Sequence, residues 1–431
     1  MLTQSLLNSF ERTQLKEDDI FAYEEQLYTT STQDVSTQTN YVIETRNHSA
    51  DSFMDIDNAY LAVKFKIVLT DGTDLAALSR ISLTHGAWSL FNRVELEVNQ
   101  QRVDFCDNPG QAVNILHKAS KSYDWLVDNG SIEFYYPSGF SNGIATVGTI
   151  SETSTDSNWL AGALRTTLSH SVWAKAPLKH CLGFCNIERL LNGVNIVVRL
   201  EKNEQYNNIL MRNGAGDDED GKTVIQEIRL YVPTVKVSPE KQAWFASEIK
   251  NNPMIIDWQQ IYFQRLSGQG TALNLNLFTG AKRPRHLFVM PQLQSELASQ
   301  EDCNGGLGAS NTVTECFITV NGIQYPFSKF SGETLGYLRE VEAVKRAFGK
   351  HKSGDASSII RIDNFASYHS IYYFDLSHVD SLFEANNQSD AIIKLTFTSA
   401  EVNSQYFNCV LIHDMHHKLE MIGGSLQVSA F

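Results

Sequence analysis

The chain has little proline, 9 residues in 431, and only 6 cysteines. Cys106, Cys181, Cys185, Cys303, Cys316 and Cys409 follow no regular spacing, so a disulfide framework is not expected. They read as buried or free thiols of a protein that folds in a reducing compartment. No run of about 18 apolar residues occurs, so no membrane span is expected. The opening MLTQSLLNSFERTQ has no basic stretch ahead of an apolar one, so no secretory signal is expected. The Asn-x-Ser triplets at Asn47, Asn129 and Asn387 then carry no weight. Positive charge is scarce as well. A net charge of -14 argues against a nucleic-acid groove, and the short basic clusters Lys282-Arg283 and Lys350-His351-Lys352 read as solvated loops. There is no GxSxG elbow and no Walker lysine, so nothing assembles a nucleophile, acid and base in recognisable order.

What is present is strand pattern. With 42% hydrophobic and 19% charged residues the chain can bury a core, and its length suits two domains. In DIDNAYLAVKFKIVLTDGTDL (55–75), Ala59, Leu61, Val63, Phe65, Ile67 and Leu69 fall on alternate positions, the period of a half-buried strand, and DGTDL is turn chemistry. VELEV (94–98), NIVVRLEK (195–202) and EIRLYVPTVKV (227–237) follow. A second strand-rich block begins after Ser238-Pro239. It holds IYFQRL (261–266), ALNLNLF (272–278), RHLFVMP (285–291), CFITVNGIQYPF (316–327), SIYYFDLS (370–377), AIIKLTFTSA (391–400), FNCVLIHD and GSLQVSAF. Helices are expected in LNSFERTQLKEDDIFAYEEQLY near the N-terminus, over 112–127, in EKQAWFASEIKNN and from about Thr334 to Phe348. The loops VGTISETSTDSNWLAG and RNGAGDDEDGK (212–222) read as solvent exposed. LEVNQQRVDF (96–105) and ITVNGIQYPF (318–327) echo one another, which favours two duplicated β-domains. The expected division is an arm at 1–50, a first domain at 51–237 and a second at 238–431.

Several clusters carry chemistry-bearing residues. HDMHH places His413, Asp414, His416 and His417 together, but after a strand, where residues three apart point to opposite faces. It reads as a polar turn and not a zinc pair. HCLGFC spaces Cys181 and Cys185 four apart beside His180, which is not the redox spacing, so both read as buried small hydrophobes. The acidic run Asp217, Asp218, Glu219 and Asp220 lacks the alternating ligands of a calcium loop. SGQG (267–270) reads as a flexible turn before ALNLNLF, not a phosphate loop. Phe65, Phe288 and Phe397 sit at strand positions that fit core packing better than a sugar-stacking platform.

The series DIDNAYLAVKFKIVLTDGTDL, AWSLFNRVELEVNQQRVD, IERLLNGVNIVVRLEKN, VIQEIRLYVPTVKVSPE and KRPRHLFVMP resembles the double jelly-roll major capsid proteins of Polinton/Maverick elements, adintoviruses and polinton-like viruses. It covers most of the chain from about residue 55 to 291, and more loosely the rest. The family resemblance lies in the order and spacing of five segments, none specific alone. Trp88 stands where the family carries a histidine before its SLF-type segment.

The resemblance implies an all-β chain of two consecutive eight-stranded jelly-roll β-barrels with short helices in the loops. It implies a structural major capsid protein that forms a homotrimer, a pseudo-hexagonal capsomer and an icosahedral shell. Partners would be further copies of itself, a penton and other minor capsid proteins, with no sequence-specific nucleic acid. It would be synthesised in the host cell cytoplasm and reside in the virion. No catalytic, cofactor-binding or metal residue is assigned, no cofactor is expected, and the chain is not expected to be an enzyme. A two-domain β-sandwich glycan-binding protein or glycosidase is the alternative, and a minor capsid or spike component a third reading.

Overall fold

The computed structural model describes residues 20–30, 35–45, 52–74, 81–83, 85–130, 132–135, 171–187, 190–212, 220–240, 254–278, 284–297, 313–331, 334–348, 359–360, 370–377, 392–399, 403–422 and 425–430, and the single positions 243, 247, 300 and 365. The first half contains β1 (Ile20–Thr29), β2 (Asn40–Glu44), β3 (Ser52–Asp55), β4 (Tyr60–Leu69), β5 (Ile81–Leu83), β6 (Phe91–Val98), β7 (Gln101–Asp107), β8 (Val172–Pro177), β9 (Leu190–Leu191), β10 (Ile196–Lys202), β11 (Leu210–Arg212) and β12 (Gly221–Val237). The second contains β13 (Met254–Gln269), β14 (Ala272–Phe278), β15 (Pro284–Leu293), β16 (Val313–Val320), β17 (Ile323–Ser331), β18 (Tyr372–Asp375), β19 (Ile392–Ser399), β20 (Ser404–Ile422) and β21 (Ser425–Ala430). Two longer helices accompany them, α1 (Pro109–Ser120) and α2 (Thr334–Ala347).

The pairing is antiparallel and the same in both halves. In the first, one sheet joins β1, β12, β4 and β8, and the facing sheet joins β2, β10, β6 and β7. In the second, β13, β20, β15 and β18 form one sheet and β14, β19, β16 and β17 the other. Counting eight principal strands in each half, the two sheets run 1-8-3-6 and 2-7-4-5. That is the double-sheet order of a jelly roll. The chain is a double jelly roll. The small strands β3 and β9 extend the first large sheet, and β21 extends β20.

The alternation read in the sequence places side chains as expected. Leu61, Val63, Phe65 and Ile67 of β4 are buried, while Tyr60, Ala62, Lys64 and Lys66 face the half-exposed side. Val94, Leu96 and Val98 of β6 face the same interior. The repeated VN hairpins are equivalent: each joins the fourth and fifth strands of its roll. Both turn residues have positive φ, 50° and 69° at Asn99-Gln100 and 50° and 87° at Asn321-Gly322. This is the signature of a type I′ turn, whose twist matches the strands it joins.

Four expectations are corrected. Residues 20–28, read as helical, lie in β1, because the backbone of β12 from Arg229 to Val237 offers an antiparallel ladder, broken only by a shift at Ile20/Ala22. Such a ladder overrides local helix propensity. With β2 paired to β10, the stretch expected as an arm supplies the first two strands of the first roll. The helix expected at 112–127 begins earlier, where Pro109 presets the first turn, and is interrupted: α1 ends at Ser120, Lys121 is extended, and helical turns resume over Tyr123–Gly130. SGQG is mostly strand: β13 continues to Gln269, and the chain turns at Gly270, where φ is 111°. The α2 expectation holds closely. The helix expected in EKQAWFASEIKNN, the N-terminal 19 residues, and the loop around 147–162 lie largely or wholly outside the described residues.

Gly322 has open space where a Cβ would stand, so only its backbone conformation resists substitution. Gly322→Ala is expected to lower stability by about 1 kcal/mol, read as a drop in the denaturant midpoint at unchanged slope.

Candidate functional site

The most constrained region is the seam between the rolls. Strand β7, helix α1 and the short turn Gly183–Asn186 of the first roll pack against β13, β20 and α2 of the second. Gly183 is the point of closest approach. A Cβ built there would lie 1.6 Å from the main-chain oxygen of Gln259, so only glycine fits. Beside it the Phe184 ring meets Trp258 edge-on at 5.7 Å. Trp258 in turn stacks on His417 at 5.7 Å and donates its Nε1–H to His417 Nδ1 at 3.0 Å. One continuous apolar core runs through both rolls.

At the centre of this seam lies Asp104, with no exposed surface. Its Oδ1 accepts the Phe105 N–H at 2.8 Å and the Gln260 Nε2–H at 3.2 Å, and its Oδ2 accepts the Phe184 N–H at 2.9 Å. Burial outweighs these donors and pushes the carboxyl up to about 8. One carboxyl thus ties β7, the Gly183–Asn186 turn and the second roll. A second polar tie lies at the start of β12. Gln300 accepts the Gly221 N–H and donates to the Gly221 carbonyl, both at 2.7 Å, as a strand neighbour would.

The clusters singled out in the sequence are placed as follows. HDMHH is not a turn: β20 runs through it, because β13 pairs with it rung for rung. His413 and His417 point inward four residues apart, about 13 Å along a strand, too far to share an ion. His416 faces out and pairs with Asp257 at 2.7 Å, and Asp414 accepts from Arg285. HCLGFC lies across the seam. Cys181 and Cys185 are fully buried, and burial raises both thiols well above their usual range. HCLGFC and HDMHH meet across Trp258, by packing. The described cysteines, Cys106, Cys181, Cys185, Cys316 and Cys409, are free and buried, as expected. Phe65, Phe288 and Phe397 are core residues. Of the acidic run only Asp220 is among the described residues.

Two arrangements have no counterpart in the sequence analysis. The first is the outer face of the large sheet in the first roll. Trp173 is 41% exposed there, with Arg229 over its ring at 4.7 Å and Lys64 at 5.9 Å. Next to it Tyr60 stacks on Tyr231 at 5.0 Å beneath Lys175, and Leu27 of the edge strand stands opposite Tyr231. This is an aromatic surface ringed by Lys64, Lys175 and Arg229, the last also ion-paired to Glu227 at 2.6 Å. The second is a group of possible metal ligands, His117, Glu133 and His180, whose ligand atoms lie within 4.8 Å of one another. His180 was legible only as a neighbour of the cysteines. His117 and Glu133 carried no signal, because the fold alone brings α1 and two loops together.

The sequence matches no protein-family model and no curated protein. Among solved structures, the chain is similar to PBCV-1 VP54 as fitted into a reconstruction of the virophage Sputnik. The identity is 11% and the TM-score 0.59, over 97% of this chain and 98% of that one. It is similar to the Faustovirus major capsid protein at 10% identity and a TM-score of 0.56, over 93% and 91%. It is similar to the mavirus major capsid protein at 11% identity and 0.53, over 97% and 93%. The likeness is one of fold, and it spans both rolls.

Two predictions follow from the seam. The Asp104 carboxyl sits near 8 in the fold against an ordinary 3.8, so folding favours its protonated form. That contribution is whole below the unfolded value and is lost as pH rises through about 8. Asp104→Asn cannot titrate. The stability of the parent relative to this variant should therefore fall between pH 5 and 8, by up to about 1.4 kcal/mol per pH unit. Denaturant unfolding at each pH measures it, and a pH-independent difference would sink the assignment. Gly183→Ala forces the rolls apart. It should cost about 3 kcal/mol or more and split a single calorimetric transition into two.

Proposed function

We propose that this chain is a major capsid protein that trimerises into a pseudo-hexagonal capsomer and tiles an icosahedral virion shell. The observation that carries this reading is the near-complete correspondence with viral capsid proteins along both rolls, 97% of this chain against 98% of PBCV-1 VP54. A ligand-binding sandwich would not need two rolls of one topology held as one body. A capsomer does: three chains then present six similar walls.

The role is structural, and its working parts are surfaces. The first roll comprises the strands up to Val237 and the second those from Met254 onward. The outer face around Trp173, Tyr60, Tyr231 and Leu27 has the aromatic and guanidinium chemistry enriched at subunit contacts, and it is the surface assigned here to a neighbouring copy. Further partners in a shell would be a penton and other minor capsid proteins, and the site of action the virion.

Light scattering of the purified chain, with negative-stain images of the same sample, tests the reading. The expected result is a species of three times the chain mass with a hexagonal outline. A monodisperse monomer at high concentration would overturn it and favour the glycan-binding alternative.

A further inference from the structure

His117 is a residue without an evident purpose in packing alone. It lies on α1, a helix buried along nearly its whole length, and is 2% exposed. Rings surround it edge-on: His180 at 4.6 Å, Trp125 at 4.7 Å and Tyr135 at 5.0 Å. Neither of its ring nitrogens has a hydrogen-bond partner. A neutral imidazole must carry one N–H, and leaving that donor dry costs free energy that an apolar side chain of this size would avoid.

Two of the groups beside it can ligate a metal. His180 Nδ1 lies 3.2 Å from Glu133 Oε2. That contact is off the axis of a hydrogen bond, so the Nδ1 lone pair is also uncommitted. The His180 and Glu133 side chains are 11% and 8% exposed. The three come from separate segments: α1, the turn at 132–135 and the Leu178–His180 turn after β8.

We infer that His117, Glu133 and His180 bind one zinc ion, with water in the fourth position. Two imidazoles and a carboxylate form a donor set that zinc takes readily. Bonds of about 2.0–2.1 Å in tetrahedral array hold ligand atoms roughly 3.3 Å apart. The Glu133–His180 pair is already at that spacing, and the group as a whole, within 4.8 Å, closes on it by small side-chain rotations. Burial holds His117 in its neutral form, which is the form that binds a metal. The bound ion would staple α1, and with it the seam, to the turn at 132–135 and to the turn that follows β8. Zinc has no redox chemistry, so such a staple persists where a disulfide would be reduced. This inference does not depend on the capsid reading.

The test uses the full chain, stripped with a chelator and titrated with zinc chloride or cobalt chloride. The expected result is one zinc per chain by elemental analysis, an unfolding midpoint a few degrees higher at saturating zinc, and intense visible bands from the cobalt form. Glu133→Gln and His180→Asn should each weaken zinc binding at least tenfold. His416→Asn, on the exposed face of β20, should leave it unchanged. Substoichiometric metal, a cobalt spectrum like that of the aqueous ion, or equal affinity in parent, Glu133→Gln and His180→Asn would overturn the assignment. The cobalt spectrum is read on the unmutated chain, so the result stands even if a variant fails to fold.

Discussion

The arrangement of this molecule depends on one contact, the passage of the Gly183 backbone against the main-chain oxygen of Gln259. Two jelly rolls joined by a linker would hinge, because most inter-domain surfaces are small and polar. Here the approach is too close for any side chain, and the space beside it is filled by Phe184, Trp258 and His417. Asp104 then satisfies main-chain donors on the first roll and the Gln260 amide on the second. A buried acid so surrounded has one good geometry, and it specifies the register of the rolls more sharply than apolar packing could. The cost of burying it appears in its raised pKa, about 8.

The same topology in both halves explains why the seam can be so local. In each roll the eighth strand is the longest described, Gly221–Val237 and Ser404–Ile422, and it has partners on both sides: β4 and β3 against β1 in the first roll, β13 against β15 and β21 in the second. The connections between strands can then lengthen without loosening the sheets. The stretch between β7 and β8 uses this freedom most. It carries α1 into the seam and brings His117 to Glu133 and His180.

What was legible in the sequence was what short-range periodicity controls. The alternation of β4, the helix at Thr334–Ala347 and the paired Val-Asn turns all depend on neighbours within a few residues. The order of the five segments carried the fold, since order and spacing reflect topology. β1 was misread because Glu24, Glu25 and Gln26 favour a helix locally, while its edge position leaves little apolar alternation to see. HDMHH was misread as a turn because its inward histidines are polar. Their burial follows from the facing strand, not from their own chemistry. Asp104 was invisible for the same reason. An acid in RVDF looks solvated until the second roll closes over it.

The charge of the chain bears on assembly through these same surfaces. At -14, copies repel at long range, and repulsion between like-charged subunits limits association to contacts that neutralise it locally. The outer face of the first large sheet is suited to that. Lys64, Lys175 and Arg229 gather there around Trp173 and Tyr60 and are partly held by cation–π contact. The patch also carries acid: Glu227 pairs with Arg229 at 2.6 Å, and the rings and lysines around that pair are what it offers a partner. It is complementary to the acidic remainder of a neighbour. Such a contact is heterologous, joining unlike surfaces, and heterologous contacts close into rings where the rotation between copies closes. A three-fold ring is the smallest such closure beyond a dimer, so the charge distribution and the proposed trimer call for the same kind of interface.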